Sequence, residues 1–97
     1  MKNYWKTTDS DVLFKAILKL RSIPECERFF RDLLTMKELQ EIVSRFKVAR
    51  ELDEPNAKSY IEIAEDVGTS TTTVTRVAHW LRAGMGGYRL ILDRMRK

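Results

Sequence analysis

The sequence predicts an all-α protein built as one small domain over residues 1–97. Apolar residues recur at intervals of three and four along most of the chain, which is the period of a helix that packs on one face. No segment alternates polar and apolar residues over the length of a strand, so no sheet is expected. The third observation is a pair of short helical patterns separated by a tight turn over residues 60–81, the layout of a helix-turn-helix.

Length and composition exclude several classes of protein. The 97 residues are 43% hydrophobic and 33% charged, which suits a water-soluble globular domain. The one cysteine, Cys26, can form no internal disulfide, as expected for a reducing compartment, and its helical position beside Phe29 and Phe30 predicts a buried side chain. No stretch is apolar enough for a signal peptide or a membrane span. We therefore expect a cytoplasmic protein without a membrane partner.

The net charge is mildly basic and concentrates towards the C-terminal part of the chain. The formal charge is +4 and the isoelectric point is about 9.4. Residues 1–57 carry 11 Lys and Arg against 10 Asp and Glu, whereas residues 58–97 carry 7 against 4. A basic surplus that accompanies the helix-turn-helix is in keeping with a nucleic-acid partner.

Two helices are predicted in the N-terminal third. Asp9 or Ser10 is expected to cap a helix that runs to about Leu20, and Pro24 suits the first position of the next helix. The apolar residues of both helices cover more of the circumference than one small core can bury: Val12, Leu13, Phe14, Ala16, Ile17, Leu18, Leu20, Cys26, Phe29, Phe30, Leu33 and Leu34. We expect their second side to pack on another subunit.

A third helix is predicted from Thr35, which can form a capping box with Glu38, to about Leu52. Its expected core positions are Leu39, Ile42, Val43, Phe46 and Ala49. Residues 53–58, which include a proline and an asparagine, predict a polar turn before the helix-turn-helix.

The first helix of the motif is predicted by its cap and its end. Ser59 can cap it with Glu62 at the third position, and Gly68 can end it in a left-handed conformation. Its apolar positions are Ile61, Ile63, Ala64 and Val67. The small Ala64 permits a second helix to cross closely.

The second helix of the motif is predicted to begin after Ser70, which can cap it together with Thr73. Its expected buried stripe is Val74, Val77, Ala78 and Leu81. Threonine is a mediocre helix former, so four threonines in the first turns are difficult to explain by stability. The alternative is an ordinary pair of packed helices with a threonine-rich surface.

These features predict a DNA-reading face with short hydroxyl side chains and a few cations. Its candidate residues are Lys58, Thr69, Ser70, Thr71, Thr72, Thr73, Thr75, Arg76, His79 and Arg82. Hydroxyls and backbone N–H groups can donate to phosphates, and threonine methyls can contact thymine. Lys58 and Arg82 flank the motif as expected phosphate contacts. One histidine, one cysteine and no metal-ligand spacing argue against an enzyme or a metal site.

Three glycines, Gly84, Gly86 and Gly87, predict a sharp bend after the motif, followed by a final helix over about 88–96. The residues from 32 to 92 resemble the Trp repressor family, and more closely its Trp-repressor-like branch in Firmicutes. The resemblance is carried by LLTMKE at the start of the third helix, by TVTR in the recognition helix and by the later GGYR.

The resemblance implies a six-helix subunit and an intertwined homodimer, with dimerisation helices over about 9–52 and 88–96. It also implies binding of double-stranded DNA at a pseudo-palindromic operator. In the family's namesake, L-tryptophan lies between two arginines, whose positions carry Arg45 and Arg76 here, and Thr35 matches a threonine near the ligand.

Two residues depart from the family's ligand site. Val77 replaces the glycine that leaves room for the ligand, and Trp80 replaces a small hydroxyl residue near its carboxylate. A close-packed site has no spare volume for either side chain. Trp80 can occupy the ligand's space or belong to the dimer core, and both alternatives remain open at this point.

The sequence thus predicts a sequence-specific DNA-binding transcriptional regulator, a repressor by resemblance, that needs no L-tryptophan and no other cofactor. One alternative is an L-tryptophan-dependent repressor. The other is a helix-turn-helix module that binds protein rather than DNA, because Glu62, Glu65 and Asp66 would repel a duplex that they faced. Bound to DNA, such a regulator would be associated with the nucleoid.

Overall fold

The computed structural model describes residues 4–96, which form six α-helices and no strand. The helices are α1 (Thr8–Ile17), α2 (Ile23–Leu33), α3 (Met36–Leu52), α4 (Tyr60–Val67), α5 (Thr71–Ala83) and α6 (Gly87–Met95). The all-α fold predicted from the sequence is therefore confirmed. The chain divides into two compact units, residues 1–36 and 37–97.

In the first unit, α1 begins earlier and ends earlier than the sequence predicted. The cap is Thr7 rather than Asp9 or Ser10, because the Thr7 hydroxyl accepts from the Ser10 backbone N–H at 3.1 Å. The Thr7 backbone N–H donates to the Ser10 hydroxyl at 2.8 Å in return. These reciprocal bonds form a capping box, so that Ser10 is the partner of the cap.

Helix α2 is capped by Ser22 and begins at Ile23. Pro24 is therefore its second residue, one position later than the sequence predicted. Neither α1 nor α2 contains a buried residue. Cys26, which was predicted to be buried, is only partly covered. Leu18 is 83% exposed and Ile23 is 77% exposed. Both helices thus present apolar side chains that this chain does not bury.

The second unit contains an apolar core to which all four of its helices contribute. The core residues are Val48 and Ala49 of α3, Ile63 and Ala64 of α4, Val74 and Val77 of α5, and Leu92 of α6. Ala64 contributes a small side chain beneath the adjoining helices, as predicted. Since every member is aliphatic, the core sets the rotation of each helix through packing alone.

The predicted core face of α3 was wrong in two positions. Ile42 and Val43 are exposed, whereas Val48, which the sequence analysis did not select, is fully buried. Ile61 of α4, another expected core residue, is exposed as well. These segments have apolar residues on several sides, so periodicity by itself could not select the side that meets the neighbouring helices.

A charged cluster joins the last helix to the end of α3. Arg89 donates from its two Nη atoms to the two carboxylate oxygens of Asp53, each at 2.8 Å. Arg96 donates to the Asp53 backbone carbonyl at 2.9 Å and to its carboxylate at 2.5 Å. The Asp53 side chain is only 11% exposed. The hydrogen bond from Arg89, with the positive charges of both arginines, lowers the pKa of Asp53 below its ordinary value of 3.8.

None of the helices in residues 4–96 combines the length and the apolar composition needed to cross a bilayer.

We expect replacement of Asp53 by Asn to destabilise the protein by about 1.5–3 kcal/mol at pH 7, since it removes a carboxylate that accepts several charged hydrogen bonds. Urea unfolding followed by circular dichroism measures the difference. Because the folded pKa is lowered, the contribution of Asp53 is complete well above pH 4 and is lost as the pH falls through the folded value. The difference between wild type and variant should therefore shrink on acidification.

The matched control is Asp93→Asn. Asp93 accepts from Arg89 Nε at 3.0 Å, but its side chain is 55% exposed. An exposed pair four residues apart on a helix contributes at most about 0.5 kcal/mol. Equal losses in the two variants would contradict the role given to Asp53.

Candidate nucleic-acid interface

The turn between α4 and α5 depends on one left-handed residue. Gly68 has φ of +80°, and its N–H donates to the Ala64 carbonyl at 2.9 Å. The N–H of Thr69 donates to the same carbonyl at 2.9 Å. A residue with a side chain is strained in this conformation, so glycine permits the immediate change of direction that separates the two helices. This confirms the predicted end of the first motif helix.

Helix α5 has one buried side and one polar side. Val74, Val77 and Ala78 are buried, while six of the predicted DNA contacts on this helix are exposed: Thr71, Thr72, Thr75, Arg76, His79 and Arg82. Arg76 makes no hydrogen bond or ion pair within residues 4–96. The polar side therefore presents hydroxyls, methyl groups and one unpaired guanidinium to solvent.

The hydroxyls of Ser70 and Thr73 are hydrogen-bonded to each other. The Ser70 hydroxyl accepts from the Thr73 backbone N–H at 3.1 Å and donates to the Thr73 hydroxyl at 3.1 Å. This is the predicted N-cap of α5. Thr69 and Thr73 are partly covered. Ser70 and Thr73 thus fix the start of α5, and Thr71, Thr72 and Thr75 are the hydroxyl residues most open to a ligand.

The two flanking cations are held differently. Lys58 donates to the Asp66 carboxylate of α4, and this hydrogen bond raises the pKa of the lysine above its ordinary value. Arg82 Nη1 donates instead to the Tyr60 hydroxyl at 3.2 Å. The positive charge of Lys58 is therefore balanced by a neighbouring carboxylate, whereas that of Arg82 lies beside a neutral phenol.

One residue of the predicted ligand site, Val77, is part of the aliphatic core. Val77 is 2% exposed and belongs to the core cluster. Arg45 forms an exposed ion pair with Glu41 at 3.8 Å, one turn earlier on α3. Thr35 immediately precedes α3. The space for which glycine is required in the family's namesake is thus occupied here by a packed valine.

Trp80 lies at the surface of the chain. It is 51% exposed, and its ring meets His79 edge to face at 5.9 Å between centroids. Gly84 also lies close to the indole, since an added Cβ there would lie 2.7 Å from Trp80 Cε3 and would clash with the Trp80 carbonyl oxygen. Within residues 4–96 the Trp80 side chain is thus half exposed, and Gly84 is required where the helix end meets the indole.

The structure places an open pocket elsewhere, between the end of α3 and the start of α4. Its volume is about 460 Å³, and Glu51, Asn56, Lys58 and Asp66 are among its lining residues. Residues 4–96 contain no group of three His, Cys, Asp or Glu side chains arranged to hold a metal. Sequence reasoning missed Tyr60 and Asp66 as partners of the flanking cations, because neither pairing has a signature in the spacing of the residues.

Comparison with known proteins decides the family. The family model described as Trp repressor protein matches residues 8–96. The chain belongs to the Trp repressor family. Members of this family are regulatory DNA-binding proteins rather than enzymes, as the sequence analysis expected.

Known relatives match this family member over nearly its whole length. It is 42% identical over 87 residues to the uncharacterised protein YerC of Bacillus subtilis strain 168, covering 90% of this chain and 82% of YerC. A crystal structure of a TrpR-like protein from Eubacterium eligens is 38% identical with a TM-score of 0.90, covering 97% and 95% of the two chains.

A crystal structure from Staphylococcus aureus, described as a candidate Trp repressor, is also 38% identical, with a TM-score of 0.87 and coverage of 94% and 89%. The predicted resemblance to the Firmicutes type of Trp-repressor-like protein is confirmed.

We expect Val77→Ala to destabilise this Trp repressor family member by about 1–3 kcal/mol, because it removes two buried methyl groups from the core. Thermal or urea unfolding measures the loss. Thr75→Ala is the matched control on the exposed side of α5, where the change should be within about 0.5 kcal/mol. A neutral Val77→Ala variant would show that the site is loosely packed.

Proposed function

We propose that this chain is a homodimeric, sequence-specific DNA-binding regulator of transcription, acting as a repressor without an L-tryptophan corepressor. The observation that carries the proposal is the division of α5 into a buried aliphatic side and an exposed side of hydroxyls and one unpaired arginine. A helix exposed in this way after a tight turn can enter the major groove with its N-terminal residues at base edges.

The chemistry of the exposed side supports DNA as the partner. Thr71, Thr72 and Thr75 are short, so the helix backbone can approach the duplex closely. Their hydroxyls can donate to phosphates and their methyl groups can contact thymine. Arg76 adds a planar donor that fits guanine or phosphate. Bridging water can carry part of the recognition.

The exposed apolar residues support a homodimer. Neither α1 nor α2 buries a residue within the chain, although both carry large aliphatic and aromatic side chains. Large apolar side chains exposed in this number indicate a protein interface. A second copy of the chain would cover it and would place two recognition helices about one DNA turn, roughly 34 Å, apart.

Independence from L-tryptophan is supported by the packing of α5. Val77 is in the core, and Arg45 is paired with Glu41 on its own helix. An amino acid placed against Val77 would have to displace packed aliphatic groups, which costs about 1–3 kcal/mol. The same core holds α5 in place, so no ligand is needed to order it.

The protein-interaction alternative rested on three carboxylates of α4. Two of them are engaged inside the protein. Glu62 accepts from the Ser59 backbone N–H and hydroxyl at 3.2 and 2.9 Å, and Asp66 is paired with Lys58. Of the three, Asp66 has its charge balanced by Lys58, and Glu62 is directed towards the start of its own helix, which weakens the argument for repulsion of a duplex.

The function is tested by selecting bound duplexes from a random pool, with and without L-tryptophan. L-tryptophan is added at about 1 mM, which equals the dissociation constant of a weakly bound ligand. We expect the same pseudo-palindromic sequence to be enriched in both arms, because the core already orders α5. Enrichment only with L-tryptophan would support the ligand-dependent alternative. Absence of enrichment in both arms would contradict sequence-specific DNA binding.

Leu18→Gln tests the dimer. Leu18 is 83% exposed in the single chain, so in a monomer the substitution should leave the stability nearly unchanged. In the proposed dimer it places an amide in an apolar interface and should raise the dissociation constant by about tenfold or more. Light scattering with size exclusion measures the mass, expected at twice the 11.4 kDa of one chain for wild type.

The matched control is Lys19→Gln, which introduces the same amide at the adjacent exposed position. It should leave the dimer intact, since it removes no apolar surface. Identical behaviour of the two variants would exclude Leu18 from the interface.

A further inference from the structure

We propose that Tyr60 is a positioning residue for DNA binding, whose hydroxyl holds Arg82 in the orientation that contacts the phosphate backbone. The inference rests on the proposed DNA-binding function and adds to it a residue outside the predicted contact set. Its basis is the hydrogen bond of 3.2 Å from Arg82 Nη1 to Tyr60 Oη, which joins the last turn of α5 to the first residue of α4.

Tyr60 is suited to hold another side chain because its own position is determined in two ways. It is partly buried and packs against the core cluster. It also follows the N-cap Ser59, whose capping box with Glu62 fixes the start of α4. A phenol loses few rotamers when it is ordered, so its hydroxyl is a rigid acceptor on the surface of the motif.

Arg82 is suited to bind a phosphate while it is held in this way. The guanidinium has five N–H donors, of which the bond to Tyr60 uses one. Within residues 4–96 it forms no ion pair, so its charge is not neutralised. Lys58 provides the contrast, since its ammonium is paired with Asp66. The two flanking cations therefore differ in how much charge they can offer to DNA.

Ordering Arg82 before binding raises affinity because a free arginine side chain loses rotamer freedom when it contacts a phosphate. Immobilising such a side chain on binding reduces affinity by about three- to tenfold. Removal of the Tyr60 hydroxyl should therefore weaken DNA binding by about that factor, without changing the number of charges that meet the duplex.

A double-mutant cycle with Tyr60→Phe and Arg82→Ala tests this. The probe is a labelled duplex of about two to three helical turns and random sequence, because phosphate contacts do not depend on sequence. Fluorescence anisotropy over a series of salt concentrations gives affinity and salt slope. We expect Tyr60→Phe to weaken binding about three- to tenfold for each of the two copies in a dimer, or about ten- to a hundredfold in all, with an unchanged slope. Arg82→Ala should lower the slope by about 1.8, or about 0.9 for each copy.

The deciding measurement is Tyr60→Phe in the Arg82→Ala background, where we expect no further loss of affinity. An equal loss in both backgrounds, or no loss in either, would overturn the inference. Arg94→Ala removes an equal charge at an exposed position of α6 and so controls for net charge. Urea unfolding confirms that each variant is folded. If wild type fails to bind the duplex even at low salt, the proposed function itself fails, and that result is known before any variant is compared.

Discussion

The burial of Val74 and Val77 against the other helices of the second unit is the constraint on which the candidate interface depends. These residues share a core with Val48 and Ile63, and all four are nearly or completely inaccessible to solvent. Because a helix turns by 100° per residue, burying positions 74, 77 and 78 leaves positions 72, 75, 76 and 79 on the outer side, while Thr71 is exposed as the first residue of the helix. The polar side of α5 is thus exposed as a consequence of core packing.

Polar interactions determine where the helices begin and how they are joined, which the small core does not fix by itself. Ser59 and Ser70 define where α4 and α5 begin, and Gly68 allows the turn between them. Asp53 binds two arginines and thereby fixes the C-terminal helix to the end of α3. A core made of mostly small aliphatic residues contributes limited stability, so such directed contacts have large relative importance in a domain of this size.

Val77 stands where the family's namesake has glycine. Its packing in the core is the basis for the independence from L-tryptophan that we propose. In a corepressor-dependent protein, the ligand completes the contacts that order the recognition helix. Here Val77 makes aliphatic contacts of its own inside the core, and Trp80 remains half exposed next to His79 and Gly84.

Much of the fold and part of the site followed from the sequence, because they depend on contacts between near neighbours. The caps at Ser59 and Ser70, the left-handed Gly68 and the buried stripe of α5 each involve residues at most a few positions apart. Helix periodicity and hydrogen-bond chemistry determine such features locally. The cap of α1 was misplaced by two or three residues, since several adjacent polar residues could serve.

Other features were decided only by the tertiary structure. The buried side of α3 depends on which neighbouring helices meet it, so Val48 was missed and Ile42 was misassigned. Tyr60 and Arg82 lie 22 residues apart, and Asp53 and Arg89 lie 36 apart. No spacing rule connects residues so distant in sequence, because their contact arises from the packing of separate helices. By itself, therefore, the sequence determined which side of α5 is exposed, and the tertiary structure decided that Lys58 pairs with a carboxylate whereas Arg82 meets a neutral hydroxyl.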